Sequence, residues 1–127
     1  MPAQILLVDD SVHLRSSIRS CIERNTDWEV CGEAENGLVA IEKVRKLNPD
    51  LVILDFAMPI MNGLDAARHI THIAPKLPMV LFTLHASVRL HREALAAGIK
   101  DVLSKSAGGT EQLLASMKIL LADAGIP

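Results

Sequence analysis

Aromatic side chains are nearly absent from this sequence, which contains no Tyr, one Trp and two Phe. Hydrophobic residues still make up 50% of the 127 residues, so the core must be built from Ile, Leu, Val, Met and Ala. This composition favours layers of helix and sheet over an aromatic-rich sandwich. The length suits one domain that is large enough to fold without disulfides or a structural metal.

Cysteine is also scarce in this chain. Cys21 and Cys31 are the two cysteines, and their spacing matches no metal-ligand motif. A single pair of cysteines in an apolar setting is usually two buried thiols, so we expect no disulfide.

Long apolar segments, an amino-terminal targeting peptide and an excess of positive charge are missing too. No segment reaches the length that spans a bilayer, and residues 1–8 do not have the basic and apolar regions of a signal peptide. The net charge is -2 and no run of Lys or Arg forms a stripe along the sequence. We therefore expect a cytoplasmic protein that binds neither membranes nor nucleic acid directly.

The sequence does contain a regular alternation of short apolar runs and longer amphipathic segments. This alternation predicts five strands, over residues 5–8, 29–34, 51–54, 79–83 and around 102–103. It also predicts five helices, over residues 12–24, 37–47, 63–73, 88–97 and 110–122, with Thr110 as the cap of the last one. Alternating elements of this kind form an α/β fold with a doubly wound parallel sheet. No linker interrupts the chain, so we expect one domain over residues 1–127.

Polar side chains follow four of the predicted strands. In an open parallel sheet, chemistry takes place at the carboxyl ends of the strands. The residues expected at that edge are Asp9, Asp10, Asp55, Thr83 and Lys105. Each of these residue types has a role in phosphoryl transfer.

Three carboxylates at one edge of the sheet repel each other unless one is protonated or a cation lies among them. Mg2+ prefers oxygen ligands and commonly takes one or two carboxylates together with phosphate oxygens. We therefore expect Asp10 and Asp55, with Asp9 through water, to bind Mg2+. An ionised Asp is also a competent nucleophile toward phosphorus. The charge of Lys105 and the hydroxyl of Thr83 would stabilise the transferring group.

Each of these residues also has a structural interpretation, as a helix cap, a turn residue, a strand end or a solvated charge. Taken singly, the structural interpretation is favoured. Taken together it fails, because unrelated surface residues need not fall at successive strand ends.

The segments that contain these residues resemble the response-regulator receiver family over essentially the whole chain. They read LLVDDS at 6–11, LVILDFAMPIMNGLD at 51–65, LFTLH at 81–85 and AAGIKDVLSKS at 96–106. The resemblance implies a flavodoxin-like sheet with strand order 2-1-3-4-5. It also implies that Asp55 is phosphorylated, that Thr83 and Lys105 act in catalysis and switching, and that the backbone carbonyl of Ala57 joins Asp9, Asp10 and Asp55 as a Mg2+ ligand.

Residues 28–55 are most similar to receivers of the NarL/FixJ class, which usually carry a carboxyl-terminal helix-turn-helix domain. The resemblance implies a non-enzymatic switch that accepts a phosphoryl group from a sensor histidine kinase and controls transcription. No DNA-binding domain is present in these 127 residues, so a stand-alone relay or diffusible receiver is the alternative. The resemblance also suggests a homodimer through the face made by helix 4, strand 5 and helix 5.

Departures from the family pattern concern the switching route. The family often has an aromatic residue where this chain has Val102, a small residue at Leu84, and a proline after a cis bond at Ser106. A non-proline cis bond costs about 2.5–4 kcal/mol, so it is not assumed here. Together with Leu84 and Val102, we expect Ala57 and His85 to tune the site, because both border the expected path of attacking water.

Three other functions fit less well. A haloacid-dehalogenase-like phosphotransferase would need a DxD motif after the first strand, where this chain has adjacent Asp9 and Asp10. A phosphorylation-independent interaction module would not need all five site residues. A dinucleotide-binding protein would need a GxGxxG motif after the first strand, which this chain lacks. His69 and His72, three residues apart on a helix, are expected to be solvated and not to bind a transition metal.

Overall fold

The computed structural model describes residues 1–126, which fold into a five-stranded sheet covered by helices on both faces. The strands are β1 (Gln4–Val8), β2 (Glu29–Ala34), β3 (Leu51–Leu54), β4 (Met79–Thr83) and β5 (Asp101–Ser104). The helices are α1 (Val12–Asn25), α2 (Gly37–Leu47), α3 (Gly63–Ile73), α4 (Val88–Ala96) and α5 (Gly109–Asp123). The predicted α/β class and the alternation of elements are confirmed.

The strands pair in the order β2-β1-β3-β4-β5, and every pair is parallel. The expected strand order 2-1-3-4-5 is therefore confirmed. Strands β1, β3 and β4 lie inside the sheet and are made almost wholly of buried Ile, Leu, Val and Met. Apolar residues at every position suit a strand that is covered on both faces, because successive side chains point to opposite sides of the sheet.

The core has two layers, one on each side of the sheet. Buried residues of α2, α3 and α4 pack on one face, with Val44, Ile70 and Leu90 among them. Buried residues of α1 and α5 pack on the other face, where Ile22 and Met117 are fully enclosed. Both layers consist mainly of aliphatic side chains, as the scarcity of aromatic residues requires.

Local signals set most helix boundaries. Ser11, Asn36, Asn62 and Ser87 are the N-caps of the first four helices, and each side chain accepts a hydrogen bond from a backbone N–H three residues later. Helix α2 ends at Leu47, and its C-cap Asn48 adopts a left-handed conformation with φ of 47° before Pro49.

Two sequence expectations were wrong in detail. Helix α5 begins at Gly109 with Gly108 as its N-cap, at φ of 81° and without a side-chain cap, so Thr110 lies inside the first turn. Cys21 and Cys31 are free, as expected, but both are half-buried and not fully enclosed. Among residues 1–126, no helix combines the length and the apolar character that crossing a bilayer requires.

Candidate functional site

Two aspartates stand side by side because their strands are neighbours in register. Val8 of β1 pairs with Leu54 of β3, and the chain continues from these residues into Asp9 and Asp55. The Asp55 N–H donates to the carbonyl oxygen of Val8 at 2.9 Å, which extends the β1–β3 pairing into the site. Both side chains are nearly enclosed, since Asp9 is 4% and Asp55 is 7% exposed.

Lys105 joins these aspartates from the end of β5. Its Nζ lies 2.7 Å from Oδ2 of Asp9 and 3.0 Å from Oδ2 of Asp55. The other carboxylate oxygens accept backbone N–H groups, from Ser11 to Asp9 at 2.9 Å and from Phe56 to Asp55 at 2.7 Å. Every oxygen of the two buried carboxylates therefore has a hydrogen-bond or ion-pair partner, as buried charges require.

Asp10 completes the acidic cluster from its exposed edge. One carboxylate oxygen from each of Asp9, Asp10 and Asp55 lies within 4.8 Å of the others. Three hard oxygen donors at this separation, open to solvent on the Asp10 side, fit a hydrated Mg2+ ion. Ala57 is exposed two residues after Asp55, where its carbonyl was expected to add a fourth protein ligand.

The protonation of Asp55 is set by opposing effects. Burial raises the pKa of Asp55, the hydrogen bond and charge of Lys105 lower it, and the charge of Asp9 raises it again. The balance is a pKa above the ordinary value for Asp. A divalent cation among the carboxylates would favour the ionised form, which is the nucleophilic one.

Gly63 at the start of α3 allows the backbone of Asp55 to take this position. A Cβ atom on Gly63 would lie 2.1 Å from the carbonyl oxygen of Asp55. The Gly63 N–H also donates to the carbonyl oxygen of Phe56 at 2.9 Å. The loop that leaves β3 is thus folded back tightly against the helix that follows it.

Thr83 ends β4 beside the acidic cluster, and its environment differs from that of the aspartates. It is fully buried, and its Oγ1 accepts the backbone N–H of His85 at 3.2 Å. Its carbonyl oxygen accepts the N–H of Lys105 at 3.0 Å, which connects β4 to the lysine. Leu84 is 72% exposed, His85 is exposed, and Val102 is half-buried on β5.

The loop after β5 also differs from the family pattern, in which a proline follows a cis peptide bond at the position of Ser106. Every peptide bond among the described residues is trans, and this includes the bond from Lys105 to Ser106. The Ser106 N–H, which a proline would lack, donates to Oγ of Ser104 at 3.3 Å.

The structure shows two features that the sequence reasoning missed. Arg15 of α1 contacts both the acidic cluster and Glu33 of β2. It donates a hydrogen bond to the carbonyl oxygen of Asp9 and makes an ion pair of 2.8 Å with Glu33. The signal available was the pair Arg15 and Arg19, one helical turn apart and followed by an acidic strand residue. Ile60 has a φ of 71°, which is rare for a β-branched residue, and no sequence signal announced it.

The chain matches the family described as "Response regulator receiver domain" over residues 5–118. This chain belongs to the response-regulator receiver family. It is 37% identical over 105 residues to the chemotaxis protein CheY of Thermotoga maritima, which covers 83% of this chain and 87% of that protein. It is also 38% identical over 107 residues to a protein-glutamate methylesterase/protein-glutamine glutaminase of Idiomarina loihiensis, but spans only 28% of that relative's length.

Among solved structures, this receiver is similar to a two-component response regulator of the LuxR family from Aurantimonas sp. SI85-9A1. The TM-score is 0.88 at 31% identity, and the match covers 96% of this chain and 87% of the other. LuxR-family regulators are NarL-like, so this neighbour agrees with the expected resemblance to the NarL/FixJ class. The family and the fold expected from the four sequence segments are therefore confirmed.

Proposed function

We propose that this receiver accepts a phosphoryl group on Asp55 in a Mg2+-dependent reaction and relays the signal through a change of conformation. The observation that carries the proposal is the position of the Asp55 carboxylate. It lies 3.0 Å from the Lys105 ammonium and within 4.8 Å of the carboxylate oxygens of Asp9 and Asp10. One nucleophile, one fixed cation and a set of hard oxygen donors therefore meet at one point.

The chain's own residues divide the work of phosphoryl transfer. Asp55 supplies the carboxylate oxygen that forms the new bond to phosphorus, while the bond from phosphorus to its donor breaks. Lys105 is placed to neutralise charge on the phosphoryl oxygens. Bound Mg2+ would be held by Asp9, Asp10, Asp55 and the Ala57 carbonyl, and it would screen the nucleophile from its anionic donor. This makes the chain a self-modifying switch and not an enzyme that acts on a separate substrate.

The physiological phosphodonor in this proposal is a sensor histidine kinase. Thr83 would turn its hydroxyl from the N–H of His85 toward the phosphoryl group, and the surface of α4, β5 and α5 would change with it. Ala57 and His85, both exposed beside the site, would set the lifetime of the phosphorylated form. The same surface is the proposed contact of a homodimer.

The output that we propose is control of transcription through a helix-turn-helix domain joined to this receiver. The similarity to a LuxR-family regulator supports this output. The alternative is a stand-alone relay or diffusible receiver, and it is favoured by the match to CheY, 87% of whose length this chain covers. Self-association measured with and without beryllofluoride separates the two, because a stand-alone relay does not need to dimerise.

Labelling with acetyl phosphate tests the central step. Wild type and Asp55→Asn are incubated with the donor, with and without Mg2+, and the modified residue is located by mass spectrometry. We expect labelling of Asp55 in wild type only when Mg2+ is present. Equal labelling of Asp55→Asn, or the same extent of labelling with and without Mg2+, would contradict the assignment.

A further inference from the structure

We propose that Arg15 is a positioning residue for the Mg2+ site, where its guanidinium fixes the peptide between Asp9 and Asp10 while Glu33 offsets part of its charge. The inference deepens the proposed function and rests on it, because it concerns the metal that the acidic cluster would hold.

Arg15 lies next to the acidic cluster, with only 13% of its side chain exposed. Its Nη1 donates to the carbonyl oxygen of Asp9, and its Nε donates to Oε1 of Glu33 at 2.8 Å. A guanidinium is a rigid planar fork, so two bonds in different directions fix its plane. One side chain of α1 therefore ties the end of β1 to strand β2.

The bond to the Asp9 carbonyl has a specific consequence for Asp10. That carbonyl belongs to the peptide unit that leads into Asp10, so its orientation sets where the Asp10 side chain starts. The Asp9 carboxylate is held independently, by Lys105 and by the N–H of Ser11. The Asp10 carboxylate is exposed and depends on its backbone for its position. Partners that orient metal ligands in this way commonly affect metal affinity.

Arg15 also brings a positive charge close to a site that would hold a cation. Glu33 offsets only part of this charge, because its carboxylate is shared by two guanidiniums. Oε1 pairs with Arg15, and Oε2 accepts hydrogen bonds from Nε and Nη2 of Arg19 at 3.0 and 2.7 Å. Burial raises the pKa of Glu33, but the hydrogen bonds and charges of Arg19 and Arg15 outweigh it and leave the pKa below its ordinary value. Glu33 is therefore ionised at neutral pH and keeps its compensating charge.

The two effects of Arg15 on Mg2+ have opposite signs, and this makes the inference testable. Loss of positioning weakens Mg2+ binding, whereas loss of a nearby positive charge strengthens it. Arg15→Gln removes both the hydrogen bonds and the charge. Arg19→Gln is the matched control, because Arg19 pairs with the same carboxylate but makes no bond to Asp9.

The experiment is a titration of each variant of the 127-residue chain with MgCl2, monitored through the amide NMR shifts around Asp10 and Asp55. We expect the Mg2+ Kd of Arg15→Gln to rise by at least about fivefold and that of Arg19→Gln to stay within about twofold. Arg15→Lys keeps the charge but lacks the planar fork that orients both bonds, so it should also bind Mg2+ more weakly than wild type. Circular dichroism checks that each variant is folded.

A Kd for Arg15→Gln that equals or falls below the wild-type value would overturn the positioning role. If Arg15→Gln does not fold, Arg15→Lys decides, and a wild-type Kd for this variant overturns the role in the same way. Failure of the proposed function is seen separately, in wild type. Absence of Mg2+-induced shifts there, or of labelling at Asp55, contradicts the phosphoacceptor proposal itself.

Discussion

The carboxyl edge of the sheet has two halves that are held in different ways. The acidic half contains Asp9, Asp55 and Lys105, whose side chains are all less than 10% exposed and are joined by ion pairs. The switch half follows β4 and reaches β5, and there Leu84 and Val88 are 72% and 74% exposed.

A groove of about 570 Å³ runs along the switch half, lined by Ala86, Ser87, Val88, His91, Arg92 and Val102. The contrast suggests a division of labour. Chemistry needs groups that are fixed before the reaction, while a surface that changes partners needs few packed contacts to break. Substitutions in the acidic half should therefore have larger effects than substitutions in the switch half.

Gly63→Ala should break the acidic half most completely. The added Cβ would lie 2.1 Å from the carbonyl oxygen of Asp55, and neither backbone can yield without moving the nucleophile. We expect a loss of at least about 4 kcal/mol in the free energy of unfolding, measured by urea denaturation. Gly125→Ala is the control, since a Cβ there meets nothing within 4 Å and only the positive φ of 78° is unfavourable. Equal losses for the two variants would show that contact with Asp55 is not the cause.

Lys105→Met should have the next largest effect, because it leaves two nearly buried carboxylates without their cation. Breaking such a pair typically costs about 3 kcal/mol. Mg2+ should restore part of this loss, since it supplies positive charge to the same carboxylates. The exposed Lys118 of α5 gives the control Lys118→Met, which should change little. Thermal denaturation with and without Mg2+ measures both, and a variant insensitive to Mg2+ would contradict the shared site.

Asp55→Asn should stabilise the metal-free protein at neutral pH. Because burial raises the pKa of Asp55, the folded state binds this proton more tightly than the unfolded chain does. Stability from this group is therefore present below the ordinary pKa of 3.8 and is lost as the pH rises through the raised value. Asn avoids that loss, and we expect a Tm higher by a few degrees at pH 7.

The advantage of Asp55→Asn should shrink below pH 4 and should reverse when Mg2+ is added, because the amide is a poorer ligand than a carboxylate. Melting curves across this pH range decide the matter. A Tm below that of wild type at pH 7 without Mg2+ would mean that the pair with Lys105 outweighs burial.

Thr83→Ala tests the connection between the two halves. Loss of the hydroxyl removes the acceptor for the His85 N–H, at a cost of about 1 kcal/mol. With beryllofluoride and Mg2+, we expect smaller amide shifts over residues 88–103 than in wild type, while Thr83→Ser keeps the full pattern. Val102→Tyr should enlarge the shifts, because a ring has more surface to bury than Val. The full pattern in Thr83→Ala would show that another group couples the halves.

Val88→Ser should have the smallest effect on stability, within about 0.5 kcal/mol, because the side chain is already in solvent. Its effect should appear in association instead, as weaker dimerisation in the presence of beryllofluoride by analytical ultracentrifugation. The exposed Ile119 of α5 provides a comparison, since it is an apolar side chain of similar exposure that does not line the groove. A large loss of stability in Val88→Ser would remove the contrast between the halves.

The sequence predicted the acidic half well because periodicity places residues at strand ends. All five strands were expected within one residue of the observed limits, and this put Asp9, Asp55 and Lys105 at one edge. Parallel register then brings them together without further information. The same reasoning could place Thr83 at the end of its strand but could not predict its hydrogen bond, because hydrophobic periodicity does not determine how a hydroxyl is oriented.

What the sequence could not predict depends on contacts between distant segments. The start of α5 was expected at Thr110 because Thr is a good N-cap, yet the helix begins at Gly109. A Cβ on Gly109 would lie 2.2 Å from the carbonyl oxygen of Ser104, so a close approach of backbones fixes this turn. The link from Arg15 to Glu33 likewise joins two elements whose mutual position only the fold determines.

The two ion pairs of Lys105, with Asp9 and Asp55, limit how much the net charge of the site changes during signalling. Three carboxylates and one ammonium leave two negative charges in the resting site, which one Mg2+ ion would cancel. Phosphorylation then replaces one carboxylate charge by about two phosphoryl charges, so the occupied site ends near a single negative charge. So small a net change is screened within about 8–10 Å in physiological salt. Distant surfaces can therefore respond to phosphorylation only through residues that contact one another. The signal must leave the site as a change of conformation and not as a long-range electrostatic effect.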